Sequence, residues 1–449
     1  MQSNGGMATF SASAKKAVAT VLSGPAGGIT ASVQTCRTTG LRNLITFDMG
    51  GTSCDVALIK DGEPSVQSRG KIEGRDIALP MIDINTVSAG GGTLARVDRF
   101  GILEVGPRSA GAVPGPACYS RGGSEPTITD CNVVLGYIGE DNFLGGKMKL
   151  DLDGTKEALA RLGKPLKMAA EQVAWGIHQI VNENMANAAR AHLGERGKDP
   201  RRMPMYAFGG AGPVHGYRVA EILRLPALIS PLCAGVGSTF GLLAAPLAFD
   251  FVRSAYSRLD QLDWQFANRL LAEMADEGCK VLENSGLSKK EISYQRTADI
   301  RYVGQGHEVS VALPDGVLSS NDLARVTAEF ERTYEALYGR KGPDVALEVI
   351  NWRVVASGPR PDMNLKLPHD SSKRGDARKG SRPAYFPESN GFVETAIYDR
   401  YALQPGMKFN GPAIVEERES TLIVGVRGRA SVDERLNVVV ELSELNDGK

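Results

Sequence analysis

The hydrophobic and polar positions of this chain alternate between short apolar runs and longer amphipathic stretches. Residues 44–47 and 56–59 are runs of β-branched and aromatic side chains, which predict two buried strands. Between residues 168 and 195 the apolar positions recur every three or four residues, which predicts a long helix that Gly197 and Pro200 end. This mixture of strands and helices indicates the α/β class.

A further strand and helix follow. Residues 205–208 predict a short strand, residues 209–212 a tight glycine loop, and residues 213–223 a helix with proline in its first turn. This order of elements lets the backbone approach a nucleotide. The match to a dinucleotide fingerprint is weak, because His215 stands where the third glycine would lie. His215 itself is as well suited to the helix surface or core as to a ligand contact.

The pattern changes after these elements. Residues 262–286 and 320–339 predict helices and residues 295–313 predict strands, so we expect an α+β domain over residues 259–365. Residues 366–385 are rich in charged and polar side chains and lack an apolar period, which predicts a linker.

Glycine and proline predict turns towards both ends of the chain. Near the start, Ser23-Gly-Pro-Ala-Gly-Gly28 predicts a tight turn before a short apolar run. Near the end, residues 386–449 contain short strand-like runs separated by glycine turns. We therefore expect a small β-rich C-terminal domain.

The loop between the first two predicted strands has the clearest chemistry. Glycines free the backbone N–H groups for a polyanion and hydroxyls add donors, in the run Gly50, Gly51, Thr52 and Ser53. Carboxylates stand on both sides, at Asp48 and Asp55. A carboxylate here suits Mg²⁺, which prefers oxygen ligands and keeps part of its water shell. From the spacing alone, a phosphate site with Asp48 as its metal ligand and an ordinary Gly-Gly hairpin turn are equally good interpretations.

A second candidate for anion binding is the run Gly90, Gly91 and Gly92. Successive glycine N–H groups form a concave nest, and a helix beginning at Thr93 would add a favourable partial charge. A flexible linker is the alternative interpretation.

Other reactive side chains have plainer alternatives. Cys118, Asp130 and Cys131 are possible metal ligands, but a buried cysteine is more often a small hydrophobe. His192 lies on the apolar stripe of the long helix, which favours a hydrogen-bonded core histidine. Asn182 belongs to a polar flank of the same helix that is available to face a cleft.

Composition excludes several classes of partner. Lys+Arg and Asp+Glu both number 52, so there is no basic field to attract nucleic acid or an anionic membrane. No apolar run approaches the roughly 20 residues that span a bilayer, and the first residues lack a signal peptide's basic head. Six cysteines without a C-x-x-C pair fit a reducing compartment. We expect a cytoplasmic protein that binds neither nucleic acid nor membrane.

The segment Asp48-Met-Gly-Gly-Thr52, continued by Ser53 to Asp55, resembles the phosphate loop of the hydantoinase/oxoprolinase family. The resemblance implies half of an ATP-binding core similar to that of actin, sugar kinases and chaperones, which is ribonuclease H-like. Residues 1–258 would form this nucleotide-binding domain. The glycines that would contact the adenosine side of ATP are Gly209, Gly210 and Gly212.

The same resemblance implies ATP- and Mg²⁺-dependent opening of a cyclic amide such as a hydantoin or 5-oxoproline. Phosphorylating the amide oxygen would turn a poor leaving group into a good one, with Asp48 and Asp55 as catalytic residues. ATP-dependent carboxylation of ketones, or a non-catalytic assembly role, is the alternative. The family's N-terminal portion has no counterpart here, so we expect a separate N-terminal domain and a hydantoinase B-type subunit as partners.

Overall fold

The computed structural model describes residues 1–67, 69–72, 74–340, 342, 345–361 and 377–442. Its chain contacts divide it into two units, each treated by itself. The companion unit comprises Met1–Ala26, Val66–Ile82 and Leu242–Met363, and the core unit comprises Gly27–Ser65, Asp83–Gly241 and Asn364–Lys449. Within the described ranges no helix is both long and apolar enough to cross a membrane.

The described helices are α1 Phe10–Lys15, α2 Ser23–Thr39, α3 Ile128–Val134, α4 Leu152–Gly163, α5 Ala170–Gly194, α6 Gly212–Ile222, α7 Gly237–Ala244, α8 Trp264–Glu283 and α9 Leu323–Tyr338.

The described strands are β1 Leu44–Met49, β2 Cys54–Lys60, β3 Glu63–Pro64, β4 Val66–Gln67, β5 Gly70–Ile72, β6 Arg75–Ile77, β7 Met81–Ile82, β8 Ile84–Val87, β9 Thr93–Val97, β10 Leu103–Ser109, β11 Met205–Phe208, β12 Ala227–Ser230, β13 Ala248–Arg258, β14 Ser293–Tyr302, β15 Val309–Ala312, β16 Leu347–Ser357, β17 Arg378–Phe386, β18 Gly391–Asp399, β19 Lys408–Asn410, β20 Ala413–Glu416, β21 Thr421–Val424, β22 Gly428–Val432 and β23 Val438–Leu442.

The main sheet of the core unit has the strand order β19-β22-β23-β12-β11-β1-β2-β3, and β8 also pairs with β2. Strand β1 runs antiparallel to β2 and parallel to β11, which is in turn parallel to β12. Strand β3 is antiparallel to β2, so three antiparallel strands followed by two parallel ones form the ribonuclease H-like half-core that the family resemblance implied. Every β1 residue except Asp48 is buried, which explains why most of its side chains are apolar.

Helix α5 confirms the long amphipathic helix and packs its apolar stripe into the core. Val173, Ile177, Val181 and Met185 are all buried, and they belong to one cluster with the strand residues of β1 and β2. Burial of such a stripe, rather than intrinsic helix propensity, stabilises most helices in proteins.

The C-terminal strands divide between two sheets of the core unit. Strands β19, β22 and β23 continue the main sheet, because β23 pairs with β12. Strands β17, β18, β20 and β21 form a sheet of their own. Of the predicted linker, residues 366–376 lie outside the described residues, whereas residues 378–385 belong to β17. The predicted domain boundaries at residues 258, 365 and 385 stay predictions.

The companion unit contains the sheet β13-β16-β14-β15, against which α8 and α9 pack. These helices and strands confirm the α+β pattern expected past residue 258. Trp352 and Phe330 are among its most buried side chains.

One local prediction from glycine content is wrong, and the helix considered at Thr93 is not present. The segment Ser23 to Gly28 begins α2 instead of forming a tight turn. Proline is tolerated there because the first helical turn leaves its N–H groups without partners. A Cβ at Gly28 would collide with the Phe208 ring, so this glycine serves close packing. Thr93 begins strand β9, which pairs with β10, and not a helix.

Candidate nucleotide site

The predicted phosphate loop lies between the end of β1 and the start of β2. It is closed by a hydrogen bond from the Gly50 N–H to the Ser53 carbonyl at 3.1 Å. A Cβ at Gly50 or Gly51 would meet no atom within 4 Å, and Thr52 is exposed. The loop backbone is therefore open to solvent at these glycines.

The two carboxylates beside the loop face each other across the strand pair. Asp48 lies opposite Asp55 in the β1–β2 register. Burial raises the pKa of Asp48 to about 6, the Asp55 carboxylate acts in the same direction, and a hydrogen bond from Ser238 at 3.1 Å opposes both. Burial also raises the pKa of Asp55, against a hydrogen bond from Thr86 at 2.6 Å. Two like charges in a half-buried setting favour a bound cation.

The residues present fit the way in which Mg²⁺ is usually held at nucleotide sites. That ion uses one or two carboxylates, together with water and ligand phosphates, rather than a cage of protein groups. Asp48 and Asp55 supply the carboxylates. Across the described ranges there is no group of three or more His, Cys, Asp or Glu side chains that could hold a metal by itself.

The three consecutive glycines pack directly against the phosphate loop. The Gly91 and Gly92 N–H groups donate to the carbonyls of Gly50 and Gly51 at 3.0 and 2.7 Å, and the Gly90 N–H donates to the Thr93 hydroxyl at 2.8 Å. A Cβ at Gly90 would strike the backbone of the phosphate loop. Because their N–H groups are already engaged, these glycines support the loop instead of forming the expected anion nest.

The second glycine loop also reaches the phosphate loop, across 160 residues of sequence. Parallel pairing of β1 with β11 brings the two together. Gly209 has φ +83°, and a Cβ there would meet the Met49 carbonyl at 2.5 Å. The Ala211 N–H donates to the same carbonyl at 2.9 Å. Gly212 begins α6, which is one residue earlier than predicted.

One cavity of about 180 Å³ joins the two loops. Four of the predicted binding glycines line it, namely Gly50, Gly51, Gly91 and Gly210. The other predicted site residues do not line it, namely Asp48, Thr52, Ser53, Asp55, Gly90, Gly92, Gly209 and Gly212. Asp48 is nonetheless close, because a Cβ on Gly209 would collide with its carboxylate.

Sequence reasoning missed one whole wall of this cavity, formed by residues 417–421. Glu417 anchors that segment, since its carboxylate accepts hydrogen bonds from the N–H groups of Cys233 and Ala234 at 2.5 and 2.9 Å. The neighbouring segment 411–417 resembles the family, but nothing in its composition indicates a contact with residues almost 200 positions earlier.

Another missed wall comes from α3 and the segment before it. It contributes Tyr119, Thr129 and Asn132 to the cavity. The Thr129 hydroxyl donates to the Gly91 carbonyl at 2.9 Å, which ties α3 to the glycine run and hence to the phosphate loop. The segment of residues 106–123, which is rich in proline and glycine, thus contributes Tyr119 to the cavity.

The metal interpretation of Cys118, Asp130 and Cys131 is wrong. The Asp130 carboxylate accepts hydrogen bonds from the N–H groups of Ala117, Cys118 and Thr127 and from the Thr127 hydroxyl. It caps α3, so its oxygens are occupied. Burial raises the pKa of the Cys131 thiol well above its ordinary value, which keeps it protonated.

The histidines of the long helix and of α6 are core residues. His192 and His215 are both buried, at 4% and 0% exposure. His192 is thus a core histidine as expected, although its Nε2 atom has no hydrogen-bond partner among the described residues. His215 does not line the cavity.

Comparison with known proteins places this geometry in a family. The hydantoinase/oxoprolinase profile matches residues 1–251, and the profile of the hydantoinase/oxoprolinase C-terminal domain matches residues 261–442. Caprolactamase subunit alpha of Pseudomonas jessenii is 35% identical over 444 residues, covering 96% of this chain and 63% of that protein. Acetophenone carboxylase gamma subunit of Aromatoleum aromaticum is 33% identical over 428 residues, covering 91% of this chain and 58% of that protein.

A solved structure agrees. The crystal structure of the ATP-dependent caprolactamase from Pseudomonas jessenii matches with a TM-score of 0.81 and 32% identity, over 98% of this chain and 64% of that one. The chain therefore spans less than two thirds of the length of each of these proteins. Since the two profiles together cover most of the sequence, the chain belongs to the hydantoinase/oxoprolinase family.

Proposed function

We propose that this chain is the nucleotide-binding part of an ATP-dependent hydrolase of cyclic amides, of the hydantoin or 5-oxoproline type. It acts within a larger polypeptide or hetero-oligomer that supplies the remaining wall of the cleft. The chain spans only part of its relatives, and the relatives above include named subunits of multi-subunit enzymes. A hydantoinase B-type subunit is the partner we propose.

The observation that carries this proposal is the single cavity that joins the phosphate loop to the second glycine loop. Gly50 and Gly51 on one side and Gly210 on the other line the same space. Bare backbone at both ends suits a ligand with a polyanionic end and a planar end, because side chains there would keep it away.

Different side chains around the loop would contact the nucleotide and its metal. Thr52 and Ser53 offer hydroxyl donors to phosphate oxygens. Asp48 is mostly ionised above pH 6 and is placed to hold Mg²⁺ directly or through water. When bound, Mg·ATP supplies the phosphoryl group that makes the amide oxygen a good leaving group. Proteins usually accelerate such transfers with hydrogen-bond donors that are already positioned to contact the transferred phosphoryl group.

Calorimetric titration with Mg²⁺ and a non-hydrolysable ATP analogue tests the proposal. We expect measurable binding by the wild-type chain, its loss in Asp48→Ala, and no change in the matched control Asp61→Ala. Asp61 is an exposed carboxylate in the turn after β2, and it forms an ion pair with exposed Arg42. Equal binding by all three proteins would contradict the assignment of Asp48. Unchanged melting with and without nucleotide would favour a non-catalytic assembly subunit.

A ketone carboxylase subunit is the second candidate, because a 33% identical relative is an acetophenone carboxylase gamma subunit. The two functions differ in what stimulates ADP release by the assembled enzyme. A cyclic amide hydrolase responds to hydantoin, 5-oxoproline or a lactam without bicarbonate. A carboxylase responds to acetone or acetophenone and requires bicarbonate.

The state of the cysteines indicates the cellular compartment. All six cysteines are free, and five of them are buried. We place the protein in the reducing cytoplasm for that reason.

A further inference from the structure

A chain of buried polar side chains runs from the nucleotide cavity into the core of α5 and α6. The His178 Nδ1 atom lies 3.0 Å from the Asn132 Oδ1 atom, and the Asn132 Nδ2 atom lies 3.0 Å from the His215 Nε2 atom. The His215 Nδ1 atom lies 2.8 Å from the Asn182 Oδ1 atom. All four side chains are at most 1% exposed.

The hydrogen bonds fix the state of both histidines. Asn132 accepts through Oδ1 and donates through Nδ2, so His178 donates from Nδ1 and His215 accepts at Nε2. His215 then carries its proton on Nδ1 and donates it to Asn182. Burial lowers the pKa of both rings, that of His215 to about 3, so both are neutral. The rings stack with centroids 4.6 Å apart, an arrangement that two imidazolium ions would oppose.

Asn132 is the one member of this chain that lines the cavity. A side-chain amide has two donors and two acceptor positions. The two histidines occupy one of each, which leaves one N–H and one carbonyl lone pair. The free N–H group and the free lone pair of Asn132 match a ligand that presents an acceptor and a donor side by side, as an amide group does.

The position of Asn132 indicates which end of the cavity that ligand occupies. Asn132 lies on α3, three residues and so about one helical turn past Thr129. Thr129 is bonded to Gly91, and Gly91 to Gly50 of the phosphate loop. A group held by Asn132 therefore lies near the phosphate loop, where the proposed function requires phosphoryl transfer.

We propose that Asn132 binds the amide group of the cyclic substrate beside the phosphate loop, and that His178 and His215 are positioning residues that hold its side chain. This inference rests on the proposed function and adds the residue that recognises the substrate class. Neutral histidines suit the role, because they fix the Asn132 amide without placing a charge beside it.

The test compares Asn132→Ala with Asn187→Ala in the complex assembled with its partner subunit. Asn187 is exposed on α5, does not line the cavity, and accepts a hydrogen bond from Arg190 through its amide oxygen. We expect Asn132→Ala to raise KM for the amide at least tenfold while the Kd of the non-hydrolysable ATP analogue stays within threefold, and Asn187→Ala to leave both within threefold. A raised Kd with unchanged KM, or no change in either constant, would overturn the inference.

A second measurement uses the wild-type chain and does not require turnover. The ¹⁵N spectrum should show both histidines with the proton on Nδ1, and adding ε-caprolactam should shift the Asn132 side-chain amide signal. An unshifted signal at saturating lactam would overturn the inference. A shifted signal in a complex whose ADP release no amide stimulates would instead overturn the proposed function and leave this binding site standing.

Discussion

Asp48 and Asp55 lie directly opposite each other on antiparallel strands, on either side of the loop proposed to bind phosphate. Like charges directly opposite in a sheet destabilise it. Burial adds to this effect, and it raises the pKa of both carboxyl groups. Repulsion between the two ionised carboxylates therefore destabilises the ligand-free fold, and a bound cation would reduce that repulsion.

The first prediction is that Asp48→Asn stabilises the ligand-free protein at pH 8. The folded-state pKa of Asp48 is about 6 against an ordinary 3.8, so the folded protein binds more protons than the unfolded chain between these values. Stability contributed by the protonated carboxyl is then present below pH 3.8 and is lost as pH rises through 6. Urea unfolding at pH 8 should give a gain of about 1–3 kcal/mol, which is the order of that shift.

The control is Asp61→Asn, whose free energy of unfolding should stay within about 0.5 kcal/mol of wild type because that carboxylate is exposed. Added Mg²⁺ with the nucleotide analogue should stabilise wild type and not Asp48→Asn. A variant less stable than wild type at pH 8 would show that the ionised carboxylate supports the fold, and would sink the prediction.

The second prediction concerns Gly209, which has φ +83° and lies against Asp48 and Met49. Alanine there faces a left-handed backbone, which costs roughly 1–2 kcal/mol, and its methyl group also collides with the β1 backbone. Thermal unfolding should show a lower Tm for Gly209→Ala. Gly210→Ala is the matched control, because its nearest neighbour would be the Glu419 carbonyl at an ordinary 3.5 Å. Equal losses in the two variants would contradict this explanation.

The sequence predicted the elements whose pattern is local. Strands β1, β2 and β11 and helices α5, α8 and α9 follow from apolar runs and three- or four-residue periods. The phosphate loop followed from residue types within eight positions, Asp48 to Asp55. Its proximity to the Gly209 loop could be predicted only from the family resemblance, because neither segment's sequence indicates that β1 pairs in parallel with β11.

What the sequence could not predict depends on contacts between distant segments. Gly28 suggests a turn until the Phe208 ring that it accommodates is known. The N–H groups of Gly91 and Gly92 suit an anion until their bonds to Gly50 and Gly51 are seen. Glu417 resembles many acidic residues near a strand end, and only the fold shows that it holds a wall of the cavity.

The third prediction is that Glu417→Gln loosens that wall. Its carboxylate accepts two backbone N–H groups and lies 3.9 Å from the buried Arg400 guanidinium. The glutamine amide would direct an N–H at a backbone N–H, so we expect a loss of about 1–3 kcal/mol in urea unfolding. Nucleotide affinity should fall as well, because segment 417–421 lines the cavity.

The matched control is Glu419→Gln, whose ion pair with Arg418 is partly exposed. Its free energy of unfolding should change by less than about 0.5 kcal/mol. If Glu417→Gln were no more costly than this control, the backbone hydrogen bonds would not be what holds the segment.

The fourth prediction separates binding from stability within the phosphate loop. A methyl group at Gly51 would meet no atom within 4 Å, and φ there is not positive, so Gly51→Ala should fold as well as wild type. The unfolded chain also loses freedom, which adds about 0.4–1 kcal/mol of stability where the native backbone is compatible. The same methyl group lies in the cavity, where it keeps phosphate oxygens from the loop N–H groups. Calorimetry should therefore show at least tenfold weaker binding of the ATP analogue at an unchanged or higher Tm.

Gly90→Ala should behave in the opposite way, since its methyl group collides with the backbone at Thr52 from behind the loop. We expect its Tm to fall first, with weaker binding as a consequence of the displaced loop. Gly51 thus lacks a side chain so that a ligand can approach, whereas Gly90 lacks one so that the backbone can pack against the loop. Unchanged nucleotide affinity in Gly51→Ala would show that the phosphates do not approach the loop at that residue, and would move the site towards Gly50 and Gly210.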